Sequence, residues 1–512
     1  MPVARTSAIA LIGLRGEVVD IEADLAAGVP SFNLIGLPDA ALGEARERVR
    51  SATANSGCEL PNRRFTINLS PAALPKHGSG FDLGIALAML AAAGTASAES
   101  VARVVHIGEL GLDGRLRSVP GVLPAVLAAR RAGCATVMVP EEAGDEAELV
   151  DGIRVVRVPS LRAAAIWHGA AIEAAEECSE APANRAAAAA EEPPPADLAD
   201  VIGNEEAVQA LVVAAAGGHH LFLLGPPGAG KTMLATRLPG ILPPLDAEAA
   251  IECASVRSLS GLPVASLPTR PPFEAPHHTA SAPAIVGGGS GIIRPGAIAR
   301  AANGILFLDE SPEFSRVALD ALRQPLESGI ITVQRANATA TFPAGIQLVL
   351  AANPCPCGRL GERECTCTPM ARRRYLGRLS GPLLDRVDLQ LTLRRITASG
   401  LRAAGERSGR LTSAVAAARV AAARALASER LRDTPWRRNA EVPGPWLRER
   451  AHRLPRSATA ALDRALERGA VTMRGYDRVL RVAWSIADLE GRPSPGGAEV
   501  GQALGYRTAV AA

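Results

Sequence analysis

At 512 residues the chain is too long for one hydrophobic core, and its length suits about three domains. Its hydrophobic content of 48% is that of a globular protein, but aromatics make up only 3%, so Ala, Val and Leu must do the packing and base-stacking platforms are scarce. A net charge of +3 excludes a global basic field, and any nucleic-acid contact must come from a local patch. The N-terminal run MPVARTSAIALIGLRG has no uninterrupted apolar segment with a cleavage site. No stretch approaches the roughly 18 apolar residues of a membrane span. A cytoplasmic protein without a membrane partner is therefore expected.

Residues 1–170 alternate β-rich runs at Ile9–Ile12, Val18–Ile21, Phe65–Leu69, Val104–Ile107, Thr136–Val139 and Ile153–Val158 with Ala/Leu/Arg helical stretches. That pattern predicts an α/β or α+β domain. Residues 171–197 turn Ala/Glu-rich and end in EEPPPAD, the composition of an interdomain linker. The block 198–395 places the apolar runs LFLL (221–224), ILFLDE (305–310) and IQLVLAAN (346–353) between glycine turns and helical segments, as a parallel sheet with crossover helices requires. From 396 to 512 helical Ala/Arg/Leu periodicity dominates, broken by PW and VPGPW near 435–446.

GPPGAGKT at 225–232 fits GxxxxGK[ST] and stands directly after the strand LFLL and before the helical MLATRL. In this arrangement the backbone of Gly225, Pro226, Pro227, Gly228, Ala229 and Gly230 wraps phosphate oxygens, helped by the dipole of the following helix. Lys231 neutralises the β- and γ-phosphates of ATP, and the Thr232 hydroxyl ligates Mg²⁺. Lysine occurs only at Lys76 and Lys231, so a lysine kept inside this glycine loop is informative. Asp309 and Glu310 close the strand ILFL as a Walker B pair, Asp309 holding Mg²⁺ and Glu310 acting as general base toward water. Asn353, at the end of the next strand, is placed to touch the γ-phosphate or that water, the sensor 1 role in AAA+ proteins.

Cys58, Cys134, Cys178 and Cys253 are isolated and read as buried small hydrophobes. Cys355, Cys357, Cys365 and Cys367 are clustered as two CxC pairs directly after Asn353. Four thiolates can enclose a tetrahedral Zn²⁺, and a reducing compartment favours metal over disulfide; the alternative is a reduced cysteine-rich loop, because CxC is a less common ligand spacing than CxxC.

The segments PHHTASAPAIVGGGSGIIRPGAIARAANGILFLDESPEF (276–314), LAANPCPCG (350–358), RYLGRLSGPLLDRVDL (374–389) and RGYDRVLRVAWSIADLEG (474–491) resemble the magnesium-chelatase-like AAA+ ATPases, and the whole chain resembles their ComM/YifB group. Where that family reads RPGEISLAH, this chain has RPGAIARAA, so Ala297 and Ala302 replace a Glu and a His. The resemblance implies a P-loop AAA+ α/β core and a C-terminal α-helical lid. It also assigns Arg386 as an arginine finger reaching a neighbour's γ-phosphate and Arg474 as sensor 2. A finger supplied in trans implies a closed ring, expected to be a homo-hexamer. PKHGSGFDLGIALAML (75–90) and the run 107–140 resemble the proteolytic domain of Lon, implying an α+β, ribosomal-S5-like fold for residues 1–170. The nucleophile position there, aligned on Lys76 and Gly78, is Gly80 and the lysine position Leu123, so the Ser/Lys dyad is absent and no protease is expected; the adjacent Ser79, without a base, does not rescue it.

Two insertions complete the reading: Ser260–Arg300, rich in Gly, Pro and His, and the hairpin-like ITVQRANATATF at 331–342. In the resembling families they face the ring's pore. Arg294, Arg300 and Arg335 are accordingly candidates for DNA phosphates, and His277/His278 for tuning the loop or binding substrate, beside the alternative of ordinary turn and surface residues. The ComM/YifB resemblance implies a DNA motor for branch migration during transformation and recombination; a magnesium-chelatase-type ATPase subunit and a protein remodeller are the alternatives.

Overall fold

The computed structural model describes residues 3–36, 44–173, 196–289, 293–335, 339–360, 364–395 and 410–508. Cys178 and most of the segment read as a linker lie outside the described residues.

The N-terminal residues build a hairpin of β1 (Val3–Ile12) and β2 (Arg15–Ala26), with Val19, Ile21 and Ala23 alternating inward along β2. β3 (Ser31–Ile35), β4 (Arg64–Ser70), β5 (Val105–His106), β6 (Thr136–Pro140) and β7 (Arg154–Val158) extend it to seven strands, ordered β3-β4-β2-β1-β5-β6-β7. Only the β1/β2 and β2/β4 pairs are antiparallel. β3 was not anticipated, because SFNLI is short and follows a glycine turn. Helix α1 (Ala45–Asn55) lies beside α2 (Asp82–Ala92), which is buried along its whole length against β1 and β2. A helix apolar on every side has no other stable place. Helix α3 (Val122–Arg131) packs on β2.

The second unit begins with α4 (Glu205–Gly217) and holds a five-stranded parallel sheet of β8 (Leu221–Leu224), β9 (Phe273–Glu274), β10 (Ile305–Leu308), β13 (Gln347–Ala352) and β14 (Leu389–Thr392). The order is β9-β10-β13-β8-β14. Every residue of β8, β10 and β13 is buried, as strands covered on both faces must be, which explains their unbroken apolar runs. Helix α5 (Lys231–Arg237) follows β8, and α6 (Ala247–Leu259) precedes β9. The stretch from Ser260 to Arg300 is not purely an insertion, since β9 lies inside it at the sheet edge. Residues 331–342 do form a hairpin, of β11 (Ile330–Gln334) and β12 (Thr339–Pro343).

Beyond residue 410 the chain is helical: α7 (Ser413–Arg430), α8 (Arg456–Glu467), α9 (Met473–Leu489) and α10 (Gly497–Thr508). Ala416, Val420, Val479 and Leu480 share one apolar cluster with Leu211 and Val212 of α4, which seats this bundle on the sheet unit. A buried polar network crosses the same boundary. Asp388 accepts from Arg478 Nη1 at 2.6 Å and from the His220 backbone N–H at 3.1 Å, while His219 Nε2 lies 2.7 Å from Ser485 Oγ. Arg478, with the two histidines, holds the Asp388 carboxyl well below its ordinary range despite burial. His220 Nδ1 accepts from the Leu348 N–H at 3.0 Å, and burial pushes this imidazole down to about 4, so it stays neutral.

The N-terminal unit docks on the sheet unit through small residues. The Gly121 N–H donates to the Ser258 carbonyl at 3.1 Å, and Ala254 and Val264 join the cluster around Val122 and Val126. At the β1–β2 turn, Leu11, Ile12 and Leu14 pack on Leu259 of α6 and Phe342 of β12. Cys58 and Cys253 are buried as expected, but Cys134 is only half-buried, at the end of α3. No helix among the described residues is long and apolar enough to cross a membrane.

Candidate functional site

β8 sits where the strand order reverses, between β13 and β14, and the loop Gly225–Gly230 leaves its C-terminal end. Ligands of open α/β sheets bind at such crevices. The Gly225 N–H donates to the Ala352 carbonyl at 3.1 Å, anchoring the loop to β13. Gly228 (φ 75) and Gly230 (φ 89) take left-handed conformations that turn the backbone into the start of α5. Asn204, itself left-handed at φ 52, donates to the Ala229 carbonyl at 3.3 Å and accepts from the Arg394 N–H at 3.2 Å, clipping the loop to the end of β14. Nothing in the sequence around Asn204 signals that role.

Lys231 opens α5 and is 9% exposed. Its ammonium donates to the Gly225 carbonyl (2.7 Å), the Pro226 carbonyl (3.1 Å) and Asn353 Oδ1 (3.0 Å). Burial pulls the Lys231 ammonium below its ordinary value, while Asp309 and Glu310 pull the other way. Thr232 Oγ1 donates to Asp309 Oδ2 at 2.7 Å, so a hydroxyl and a carboxylate converge beside the loop. Such hard oxygen donors suit Mg²⁺.

Glu310 leaves β10 at φ 51, a strained value for a side chain of this size, and its N–H donates to Asp309 Oδ1 at 2.9 Å. The turn is held from below by buried Ser311, whose hydroxyl donates to the Ala351 carbonyl at 2.9 Å. Glu310 Oε2 lies 3.2 Å from His278 Nδ1. His277 lies against His278 with ring centroids 4.1 Å apart, and its Nδ1 is 2.8 Å from Thr279 Oγ1. One histidine of the pair thus faces the carboxylate site, a link that sequence separation hides.

Arg386 is mostly buried, donating to the Pro382 carbonyl at 2.6 Å and paired with Glu327. Arg474 is exposed on the first turn of α9, capped by Thr472. Arg378, which sequence reasoning passed over, reaches the turn after Glu310, donating to the Pro312 carbonyl at 3.1 Å and Glu313 at 2.8 Å. Arg294 and Arg335 are exposed, and the Arg335 guanidinium reaches Gly288, the residue paired with Arg294 across a short ribbon. Arg300 is instead engaged by Glu274 at 3.1 Å. Ala297 and Ala302 are both buried, Ala297 within an apolar cluster, and a Glu or His side chain buried there needs a partner.

The four clustered cysteines come together, their sulfurs all within 4.8 Å of one another. In the N-terminal unit, Lys76 is buried and donates to the Gly36 carbonyl at 2.9 Å and the Pro71 carbonyl, whereas Ser79 donates to Glu109. Leu123 is fully buried.

Family models described as "Magnesium chelatase, subunit ChlI", "Subunit ChlI of Mg-chelatase" and "Magnesium chelatase, subunit ChlI C-terminal" match residues 197–401, 21–143 and 410–507. An uncharacterized protein of Mycobacterium tuberculosis is 50% identical over 509 residues, 99% of each chain. Competence protein ComM of Haemophilus influenzae is 41% identical over 510 residues, 98% of this chain and 96% of that one. Lon protease of Mycolicibacterium smegmatis is 32% identical over 184 residues, 34% of this chain and 23% of that one. With a parallel P-loop sheet, a helical bundle seated on it and these matches along nearly its whole length, the chain belongs to the ComM/YifB group of the magnesium-chelatase-like AAA+ ATPase family.

Proposed function

We propose that the chain is an ATP-driven, homo-hexameric DNA motor of the cytoplasm, acting as a branch-migration helicase that assists integration of DNA in transformation and homologous recombination. The observation that carries the reading is the convergence of Lys231, Thr232, Asp309, Glu310 and Asn353 at the C-terminal ends of β8, β10 and β13, in a chain similar to a competence protein over 96% of that protein's length.

The loop 225–230 and Lys231 hold the β- and γ-phosphates of ATP, and Thr232 and Asp309 hold Mg²⁺, which when bound offsets phosphate charge. Glu310 accepts a proton from the attacking water, whose oxygen bonds to the γ-phosphorus as the bond to the β–γ bridging oxygen breaks and ADP leaves. Asn353, already on Lys231, orients that water or the γ-phosphate. Arg386 supplies charge to a neighbour's transition state, and Arg474 approaches the nucleotide from the lid. Arg294 and Arg335, exposed together, meet the DNA backbone, with Arg300 supporting the ribbon. Gly80 and Leu123 leave the Lon-like domain without a peptidase step.

The test is ATP hydrolysis with single-stranded, duplex and branched DNA, with unwinding of a four-way junction as a second readout. Stimulation by branched DNA supports the reading. Indifference to all DNA, with stimulation by a protein client, assigns remodelling instead, and stimulation by a metal-free porphyrin system assigns the chelatase role.

A further inference from the structure

We infer that Cys355, Cys357, Cys365 and Cys367 bind one Zn²⁺ as a tetrathiolate, and that this ion clasps the loop that holds Asn353 against the P-loop. The second half rests on the nucleotide-site reading above; the first does not.

The sulfur positions are those of a metal site. Sγ of Cys355 lies 3.4 Å from that of Cys357 and 3.9 Å from that of Cys365, and Cys357 and Cys365 are 3.6 Å apart. Four sulfurs at about 2.3 Å from a central Zn²⁺ in a tetrahedron stand about 3.8 Å from one another. A disulfide draws one pair to about 2.05 Å and pushes the others away. Three pairs spaced at 3.4 to 3.9 Å, with the fourth sulfur inside the same 4.8 Å, form the pattern of a shared centre.

Both ends of the cysteine loop touch the nucleotide site. At the first end, Cys355 is fully buried just after Asn353. Gly358, left-handed at φ 73, lies so close to the P-loop that a Cβ there would stand 2.7 Å from Pro227. At the other end, Thr368 caps the helix Pro369–Leu376, and the buried Tyr375 of that helix has its hydroxyl near the Asn353 backbone. An ion joining Cys355 and Cys357 to Cys365 and Cys367 therefore closes a loop whose two exits both lie near Asn353, the partner of Lys231 at 3.0 Å. Binding releases the thiol protons to solvent and leaves a net negative site. Arg372 lies beside it, its Nε donating to the Cys367 carbonyl at 3.3 Å.

The test uses the full chain purified without chelator. Elemental analysis should find one zinc per chain, released as a mercurial caps the four thiolates that held it. Cys367→Ser should lose the zinc and lower kcat for ATP by about 10- to 100-fold, the range expected when a positioning group shifts by about an ångström. Cys367→His, which keeps a ligand atom, should retain zinc and most of kcat. Lys231→Ala should lose ATPase activity yet retain one zinc, so a failure of the nucleotide-site reading leaves the zinc measurement standing. Protein without zinc, whether its four thiols are free or paired as disulfide, overturns the site. Zinc-free Cys367→Ser with unchanged kcat overturns the clasp.

Discussion

Replacing Glu310 by Gln separates chemistry from binding. The exchange keeps size and shape while removing the negative charge that draws a proton from water. The side chain is about half exposed, at 52%, and makes no bond to the loop around Lys231, so folding stability should change by less than about 0.5 kcal/mol. A positioned general base contributes typically 10²- to 10⁴-fold, or about 3–5 kcal/mol of barrier. Steady-state hydrolysis should show kcat lower by that factor with KM for ATP within about twofold, and labelled ATP should remain bound. The 3.2 Å contact with His278 adds a second arm. If His278 acts by orienting this carboxylate, His278→Ala should lower kcat about threefold or more in the native chain and leave Glu310→Gln unchanged, the signature of coupled residues. A Glu310→Gln chain that keeps more than about a tenth of native kcat refutes the base assignment. Equal losses from His278→Ala in both backgrounds refute the coupling.

Lys231→Ala should weaken ATP binding by about two orders of magnitude, read by calorimetric titration, because the charge facing the phosphates is lost. Arg386→Ala should lower hydrolysis by about 10³-fold on its own, and mixing it with Glu310→Gln should restore part of the activity, since a mixed interface brings one intact Glu310 to one intact Arg386; no recovery on mixing argues against a finger in trans. In the N-terminal unit, burial pushes His168 down to about 4, and its Nε2 lies 3.0 Å from that of His106, held well below its ordinary value by burial and by His168. The unfolded chain takes up these protons first, so stability should be full above about pH 6.5 and fall as pH drops toward 4, by about 3 kcal/mol from His168. Urea denaturation of the full chain with Trp436, Trp446 and Trp484 replaced by Phe, followed by emission of Trp167, whose ring lies 4.7 Å from His168, should show that slope, and His168→Gln should flatten it.

The strands β8, β10 and β13 were legible because burial on both faces demands continuous apolar runs, and the P-loop because a glycine-rich turn between strand and helix has few other uses. The two-residue strand β9 carried no period to read, which is why its neighbourhood looked like insertion throughout. His278 was visible as a residue but not as a neighbour of Glu310, since nothing local encodes a contact made by a loop folding back across the sheet. The network joining Asp388 to Arg478 and His219 to Ser485 was hidden for the opposite reason. In a chain with so many arginines, one that is buried and paired looks in sequence like any that is solvated.

The docking of the N-terminal unit shows what its Lon-like fold does with the position at which the resemblance expects a catalytic lysine. Leu123 occupies it, fully buried, at the start of α3. Its N–H donates to Glu146 at 2.9 Å and lies 3.4 Å from Ser258 Oγ, which belongs to α6 of the ATPase unit. Gly121 just before it is left-handed at φ 91, and a Cβ there would stand 2.5 Å from Leu11 and 3.2 Å from Leu259. A lysine at 123 would have to bury its ammonium in this seam, at a cost of several kcal/mol unless Glu146 turned to meet it. The same surface continues to Phe342 of the hairpin whose strand β11 leads to Arg335. At the position where the resemblance expects a lysine, an apolar side chain thus helps to join the two units. The joint falls on the helix before β9 and on the hairpin before β13, so the N-terminal unit is packed on both elements that lead into the strands of the nucleotide-site sheet.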